Sequence, residues 1–232
     1  MGAPRISLAQ LFGGLTLGLL AGSVILVYLY PERVRQLLED SPIAEAVQQL
    51  PSPAADVHGG RAHYLEAVSP RDEGVRELAI EITRRCKEQD RGCEASRLLR
   101  HVASKVKYVS DPRGEGDFVQ PPMRTVELAA GDCEDQTILL ASLFEAVGIR
   151  TLLAFTDNHV YPMACTEKPI AKRYLGKGAV VYAVVDGEDS LHCYPAEPTS
   201  PQSKLGQEGD HEGFLHVADP VDGSVHEFTR ES

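Results

Sequence analysis

The chain has 232 residues, a net charge of −11 and 43% hydrophobic residues, a composition typical of one globular domain with room for an additional segment. An acidic protein repels phosphate backbones, so the charge argues against a nucleic-acid partner. It also gives no electrostatic attraction to anionic lipid, so any link to a membrane must be apolar.

The first predicted element is an uncharged N-terminal segment. No charged residue lies between Arg5 and Glu32, and as a helix these 26 residues would span about 39 Å, against roughly 30 Å for the hydrocarbon core of a bilayer. Tyr28 and Tyr30 at its end are typical of a membrane interface. A cleaved signal peptide is the alternative, but its apolar core is shorter and ends in a small-x-small site. We therefore predict a transmembrane anchor within residues 1–30.

Three glycines recur at helical spacing within this segment. Gly14, Gly18 and Gly22 would lie on one face of the helix, and such a face allows two membrane helices to approach closely. Because glycine is common in membrane helices in general, the pattern leaves two interpretations open, a homodimer through the anchor or a helix that does not self-associate. The basic residues on the two sides of the segment leave its orientation in the membrane open.

The anchor is followed by a predicted stalk and then by the globular domain. Residues 31–68 are predicted to be a spacer, with room for a short helix over 31–50 before prolines and glycines interrupt regular structure, and the domain is expected to span 69–232. Apolar residues then recur at helical spacing in 75–86 and again in 95–106, so we predict two amphipathic helices joined by a turn.

A third helix and a set of strands complete the predicted domain. The helix is expected at Cys133–Val147, after a long loop over Tyr108–Glu127. Two Asp-Gly pairs, at 186–187 and 222–223, are typical of hairpin turns. Helices followed by strands predict an α+β domain. The predicted strands are Arg150–Phe155, His159–Cys165, Ala179–Val185, Leu191–Ala196, Phe214–Ala218 and Ser224–Phe228.

Cys133 is the candidate nucleophile. It follows Gly131-Asp132 at the start of the third helix, where the helix dipole favours a thiolate. The acidic neighbours Asp132, Glu134 and Asp135 act in the opposite direction. We expect Glu134 and Asp135 to serve the first helical turn and a histidinium beside the sulfur to supply the compensating charge.

His159 is the candidate base and Glu197 the candidate group that orients it. His159 opens a predicted strand and Glu197 ends a later one, so antiparallel pairing of those strands would bring the two side chains together. They are 38 residues apart, however, with an insertion over Thr166–Gly178. Asp219 is therefore kept as the alternative third member.

These motifs carry a family resemblance. Gly131-Asp132-Cys133-Glu134-Asp135 and the helix after it look like the nucleophile helix of the transglutaminase-like superfamily. Asn158-His159-Val160 resembles its histidine strand, and Glu197-Pro198-Thr199 resembles its Asp-Pro-Thr element. The stretch beginning at Gln120 resembles the lead-in to the cysteine, with Gln120 as a candidate oxyanion donor. The resemblance covers about 98–206 and implies a papain-like α+β fold with a Cys-His-Asp/Glu triad.

The other four cysteines are candidates for disulfides, and the histidines are candidates for metal ligands. Cys86, Cys93, Cys165 and Cys193 leave two interpretations open, namely disulfides or core thiols. If they are bridged, the domain lies outside the cytoplasm. The histidines show no metal-ligand spacing, so we predict neither a metal nor another cofactor.

Two functions remain open at the level of sequence. The first is an enzyme that transfers or hydrolyses acyl groups at amide bonds of protein or peptide substrates through Cys133, His159 and Glu197. The second is a catalytically inactive module that uses the same cleft to bind a peptide or protein partner at the membrane. The order of the three residues along the chain favours the enzyme.

Overall fold

A computed structural model describes residues 61–111, 118–186, 189–209 and 216–231. The predicted anchor, its glycine face and residues 31–60 of the predicted stalk lie outside the described residues. Within the described ranges, no helix is long and apolar enough to cross a membrane.

The described α-helices all precede the main sheet in the chain, and one short 3₁₀ helix, Lys172–Tyr174, lies between two of its strands. Aspartates begin two of the α-helices, because Asp72 accepts a hydrogen bond from the Val75 N–H and Asp90 accepts one from the Cys93 N–H. These side chains satisfy helix N–H groups that have no intrahelical partner. The helices are α1 Ala62–Ala67, α2 Glu73–Thr83, α3 Arg91–Lys105, α4 Pro122–Leu128 and α5 Cys133–Ala146.

Helix α5 is the centre of the domain. Every residue from Glu134 to Phe144 is buried, because other helices cover one side of α5 and the sheet covers the other. A helix buried all round has no polar face, which explains its weak amphipathic pattern. Polar side chains along it bond to the protein instead, as when Thr137 Oγ1 donates to the Val160 carbonyl at 3.0 Å.

The main sheet is antiparallel. Its strand order in the described residues is β8-β7-β3-β4-β6-β5-β9, while β1 and β2 form a separate parallel pair. The strands are β1 Lys107–Tyr108, β2 Ala130–Gly131, β3 Arg150–Phe155, β4 Val160–Thr166, β5 Tyr182–Asp186, β6 Asp189–Pro195, β7 His216–Ala218, β8 Val225–His226 and β9 Phe228–Arg230.

The predicted α+β arrangement is confirmed within the described ranges, with local differences. Helix α1 lies inside the predicted stalk, and its Tyr64 and Leu65 are 3% and 5% exposed, so packed structure begins before residue 69. Helix α4 takes up the last part of the predicted loop over 108–127 and ends at Leu128. The strand predicted over 224–228 is two short strands that pair with different neighbours.

Both cysteine pairs are disulfides. Cys86–Cys93 joins the region after α2 to the first turn of α3, and Cys165–Cys193 joins two residues that are direct partners across β4 and β6. Of the two interpretations left open by the sequence, the structure has the bridged one. Cys133 is the one free cysteine.

Candidate active site

The loop before Cys133 brings the thiol to the start of α5. Gly131 ends β2, and a Cβ on it would lie 2.6 Å from Cβ of Asp135, so only glycine fits there without displacing the first turn of the helix. Asp132 then adopts an extended conformation and Cys133 is the first helical residue. The sharp change of direction leaves Cys133 partly exposed.

The thiol of Cys133 makes a hydrogen bond to the next residue in the chain, Glu134. Its Sγ lies 3.1 Å from Oε2 of Glu134 and donates a hydrogen bond to that carboxylate. Burial raises the pKa of the Cys133 thiol well above its ordinary value, and the charge and hydrogen bond of Glu134 raise it further. Burial and the acidic neighbours thus oppose the helix dipole at Cys133, as the sequence predicts for those neighbours, and a thiolate favoured by the helix start stays a prediction. Glu134 does not simply serve the helical turn, because its carboxylate accepts the hydrogen bond of the protonated thiol.

Three acidic side chains lie close together at the N-terminal end of α5. Carboxylate oxygens of Asp111, Asp132 and Glu134 lie within 4.8 Å of one another. Burial, together with the hydrogen bond and charge of Glu134, raises the pKa of Asp132 to about 7. Asp132 therefore holds a proton over a wide range below neutral pH. The prediction that the protein uses no metal stays a prediction.

His159 and Glu197 lie in direct contact. Nε2 of His159 is 2.6 Å from Oε2 of Glu197, and antiparallel pairing of β4 with β6 brings them together. The other carboxylate oxygen accepts hydrogen bonds from the N–H and Oγ1 of Thr199 at 2.8 and 2.5 Å. Burial alone would raise the pKa of Glu197, but the bonds from His159 and Thr199 outweigh it and lower that pKa. Glu197 is thus a buried carboxylate with its hydrogen-bonding positions in use.

Cys133 and His159 open onto the same depression. Its wall also includes Glu134, Val160, Arg61, Tyr64, Asp157 and Asn158. The Val160 N–H bonds to the sulfur and lowers the thiol pKa slightly against the larger opposing effects. A thiol, an imidazole and a backbone donor therefore meet at one concave surface.

Gln120 and Asp219 make hydrogen bonds to residues other than Cys133 and His159. The Gln120 N–H donates to Asp135 Oδ1 at 2.8 Å and its side-chain amide donates to Asp135 Oδ2. Gln120 thus holds the first turn of α5, and its role as an oxyanion donor stays a prediction. Asp219 accepts a hydrogen bond from Arg150 at 2.9 Å, so the structure brings Glu197 rather than Asp219 to His159.

Helix α1 supplies a wall of the depression that the sequence did not predict. Arg61, just before α1, donates to the Thr156 carbonyl at 2.6 Å and to the His159 carbonyl at 3.5 Å. Its guanidinium also lies 5.4 Å from the centre of the Phe155 ring. Arg61 therefore stabilises the turn that carries His159. The only sequence signal was a short apolar pair at Tyr64 and Leu65, too brief for a periodicity.

Comparison with known proteins finds a family match over part of the chain. Residues 76–176 match the core model of the transglutaminase-like superfamily, a range that includes Cys133 and His159 but ends before Glu197. None of the curated proteins matches the chain.

Two solved structures share a weak overall likeness. A candidate protease from Parabacteroides distasonis is 12% identical with a TM-score of 0.40, and the match covers 72% of this chain and 30% of that one. Legionella pneumophila LapG is 15% identical with a TM-score of 0.22, and the match covers 68% and 76%. The chain thus spans about a third of the length of the first structure.

Proposed function

We propose that the protein is a cysteine-dependent enzyme that transfers or hydrolyses acyl groups at amide bonds of protein or peptide substrates. The observation that carries the proposal is the bond between His159 and Glu197 at the edge of a depression that also holds the single free cysteine. A nucleophile, a base and a group that orients the base are the three parts that thiol catalysis needs.

The bond to Glu197 assigns the ring nitrogens of His159. A carboxylate is an acceptor, so the neutral imidazole carries its proton on Nε2, and Nδ1 is left as the basic nitrogen. In the proposed reaction Nδ1 takes the thiol proton and the sulfur of Cys133 attacks the amide carbonyl carbon. The resulting imidazolium returns the proton to the leaving amine, which departs as the C–N bond breaks. Water or an amine then cleaves the thioester and regenerates the thiol.

The oxyanion formed during attack needs hydrogen-bond donors. Backbone N–H groups at the first turn of α5 have no intrahelical acceptor and lie at the positive end of the helix dipole. We assign them the role of oxyanion donors. Gln120 uses one of its two side-chain N–H groups on Asp135, so it would contribute through the other.

The resting thiol must leave Glu134 before it can react. Its hydrogen bond to Glu134 competes with proton transfer to His159, so substrate binding or a rotation of the Cys133 side chain has to break it. The same observation favours a second candidate function. A thiol held protonated by an acidic neighbour also suits an inactive module that binds an extended peptide in the depression.

A covalent trap distinguishes the two functions. The full-length protein is treated with a thiol-directed acylating probe, and the modified residue is identified by mass spectrometry. We expect labelling at Cys133 that Cys133→Ala removes and His159→Gln slows, with the melting temperature of both variants close to that of the wild type. Equal turnover by Cys133→Ala would refute the enzyme, and an inert thiol with retained peptide binding would support the module.

We also propose that residues 1–30 anchor the protein in a membrane with its domain outside the cytoplasm. The uncharged segment supports the anchor, and the two disulfides support an oxidising compartment. Cell fractionation tests this proposal. The full-length chain should partition with membranes and a chain lacking residues 2–30 should not. A full-length chain that stays in the aqueous fraction would contradict the anchor.

A further inference from the structure

A segment after Glu197 lies against the histidine–glutamate pair. This strap, residues 204–209, runs beside the end of β6 and the insertion before β5. The Gly176 N–H donates to the Leu205 carbonyl at 2.9 Å, and the Gly206 N–H donates to the Pro195 carbonyl at 2.7 Å. The strap is therefore fixed by backbone bonds on both sides.

Two tyrosines hold the next part of the strap. The hydroxyls of Tyr161 and Tyr182 donate to Oε1 of Glu208 at 3.2 and 2.6 Å. Burial raises the pKa of both tyrosines, and the Glu208 carboxylate raises it further, so both remain donors at neutral pH. The Tyr161 ring also lies beside the His159 ring, with 5.8 Å between centroids. Glu208 thus joins the strap to the strand that carries the base.

Gly209 then approaches the pair itself. A Cβ added to Gly209 would lie 2.5 Å from Oε2 of Glu197 and 3.4 Å from Nε2 of His159. Those are the two atoms that share the hydrogen bond. The φ angle of Gly209 is not among the left-handed values found at other glycines, so the backbone does not require glycine here. Glycine is required instead because the Glu197 carboxylate leaves no space for a side chain at this position.

We propose that the strap is a positioning device for the proposed catalytic base, with Gly209 and Glu208 as its positioning residues. This inference rests on the proposed function. Gly209 occupies the space beside Oε2, so Glu197 can neither rotate away from His159 nor take water as a partner there; the side chain of Glu197 is 3% exposed. Preorganised hydrogen bonds that exclude water keep an imidazole in one tautomer and direction.

The insertion over 166–178 packs against the strap. Leu175 and Leu205 form a parallel bridge, and a Cβ on Gly176 would lie 2.5 Å from the Gln207 side chain. The insertion therefore supplies the surface on which the strap lies. The long separation between His159 and Glu197 in sequence thus has two parts, namely the insertion and strand β5, which precedes β6 in the chain.

The test uses full-length protein labelled with 15N in its histidine rings. Wild type should show a low-field resonance for the His159 Nε2 proton bound to Glu197, assigned by its loss in His159→Gln. In Gly209→Ala the new methyl group should displace the carboxylate, because the end of a side chain moves more easily than backbone. We expect that resonance to move upfield or broaden away. Turnover should fall by about 10²-fold, as for misplaced catalytic groups generally, with KM unchanged.

Two controls separate positioning from general damage. Gly178→Ala introduces a side chain at a φ of +71° with no heavy atom within 4 Å, so it strains the backbone but should leave the resonance in place. Glu208→Ala should act like Gly209→Ala, whereas Glu208→Gln retains an acceptor oxygen for both tyrosines and should restore the wild-type resonance.

Each outcome has a defined meaning. A wild-type resonance in Gly209→Ala, or an equal change in Gly178→Ala, overturns the positioning role of the strap. Because the resonance does not depend on turnover, it decides this inference even if the wild-type protein proves inactive. Failure of the proposed function would appear instead as an absence of Cys133 acylation.

Discussion

Replacing Glu134 by glutamine should make Cys133 more reactive. The substitution preserves the size of the side chain but removes the negative charge that raises the thiol pKa. With Sγ and Oε2 only 3.1 Å apart, a thiolate and a carboxylate would repel each other by about 5 kcal/mol at an effective dielectric constant of about 20. Solvent at the mouth of the depression screens part of this repulsion, because Cys133 is partly exposed.

The expected shift follows from that repulsion. A change of 1.4 kcal/mol corresponds to about one pH unit, so even strong screening leaves an effect of that size. We expect the pH midpoint of Cys133 alkylation by iodoacetamide to fall by at least about one unit in Glu134→Gln. The rate at pH 7 should rise in proportion to the thiolate fraction.

A matched control is available on α4. Glu127 is an exposed glutamate whose side chain accepts a hydrogen bond from Arg124, so Glu127→Gln tests the same chemical change away from the thiol. It should leave the midpoint unaltered. A midpoint in Glu134→Gln that stays in place or rises would refute the conclusion that the Glu134 carboxylate raises the thiol pKa.

Two further predictions concern the acidic groups. Burial and the neighbouring Glu134 raise the pKa of Asp132 to about 7, against about 4 in an unfolded chain. The folded state therefore binds the extra proton between these values, and the unfolding free energy falls as pH rises through this window. Asp132→Asn should increase stability relative to wild type by at least about 1 kcal/mol more at pH 8 than at pH 4, measured by denaturant unfolding; an equal effect at both pH values would contradict it. Glu197→Gln should reduce single-turnover acylation by at least about 10²-fold, because an orienting carboxylate in a triad can contribute up to about 10⁴. Asp219→Asn should instead lower the melting temperature, and an acylation defect confined to Asp219→Asn would exclude Glu197 as the third member.

The central elements could be predicted because their patterns are local. Cys133–Val147 was expected as a helix and the structure has it from Cys133 to Ala146, since an apolar run between Asp132 and Gly148 leaves few other choices. The strand Arg150–Phe155 matches its prediction as well. Helix α1 escaped prediction because its six residues are too few for a helical period to appear, and tertiary packing stabilises it.

The site was harder to predict because it depends on contacts that are distant in sequence. The partnership of Glu197 with His159 required the pairing of β4 with β6, which the spacing of 38 residues obscured. The bond from the thiol to Glu134 depends on a side-chain rotamer that a motif does not specify. The contact of Gly209 with the pair has no local signal, because one glycine in a polar loop resembles any other.

The disulfide between β4 and β6 also has a consequence for the unfolded chain. Strands that pair across a long connection normally lose much loop entropy when they meet. Cys165 and Cys193 are 28 residues apart, and a bridge closing a loop of that length removes about 3.6 kcal/mol of conformational freedom from the unfolded state. Once oxidised, the chain no longer has to search for this pairing on each refolding. The length of the insertion therefore adds little to the entropy that folding must overcome, and sequence changes within it are less restricted by chain entropy than those in an unbridged connection.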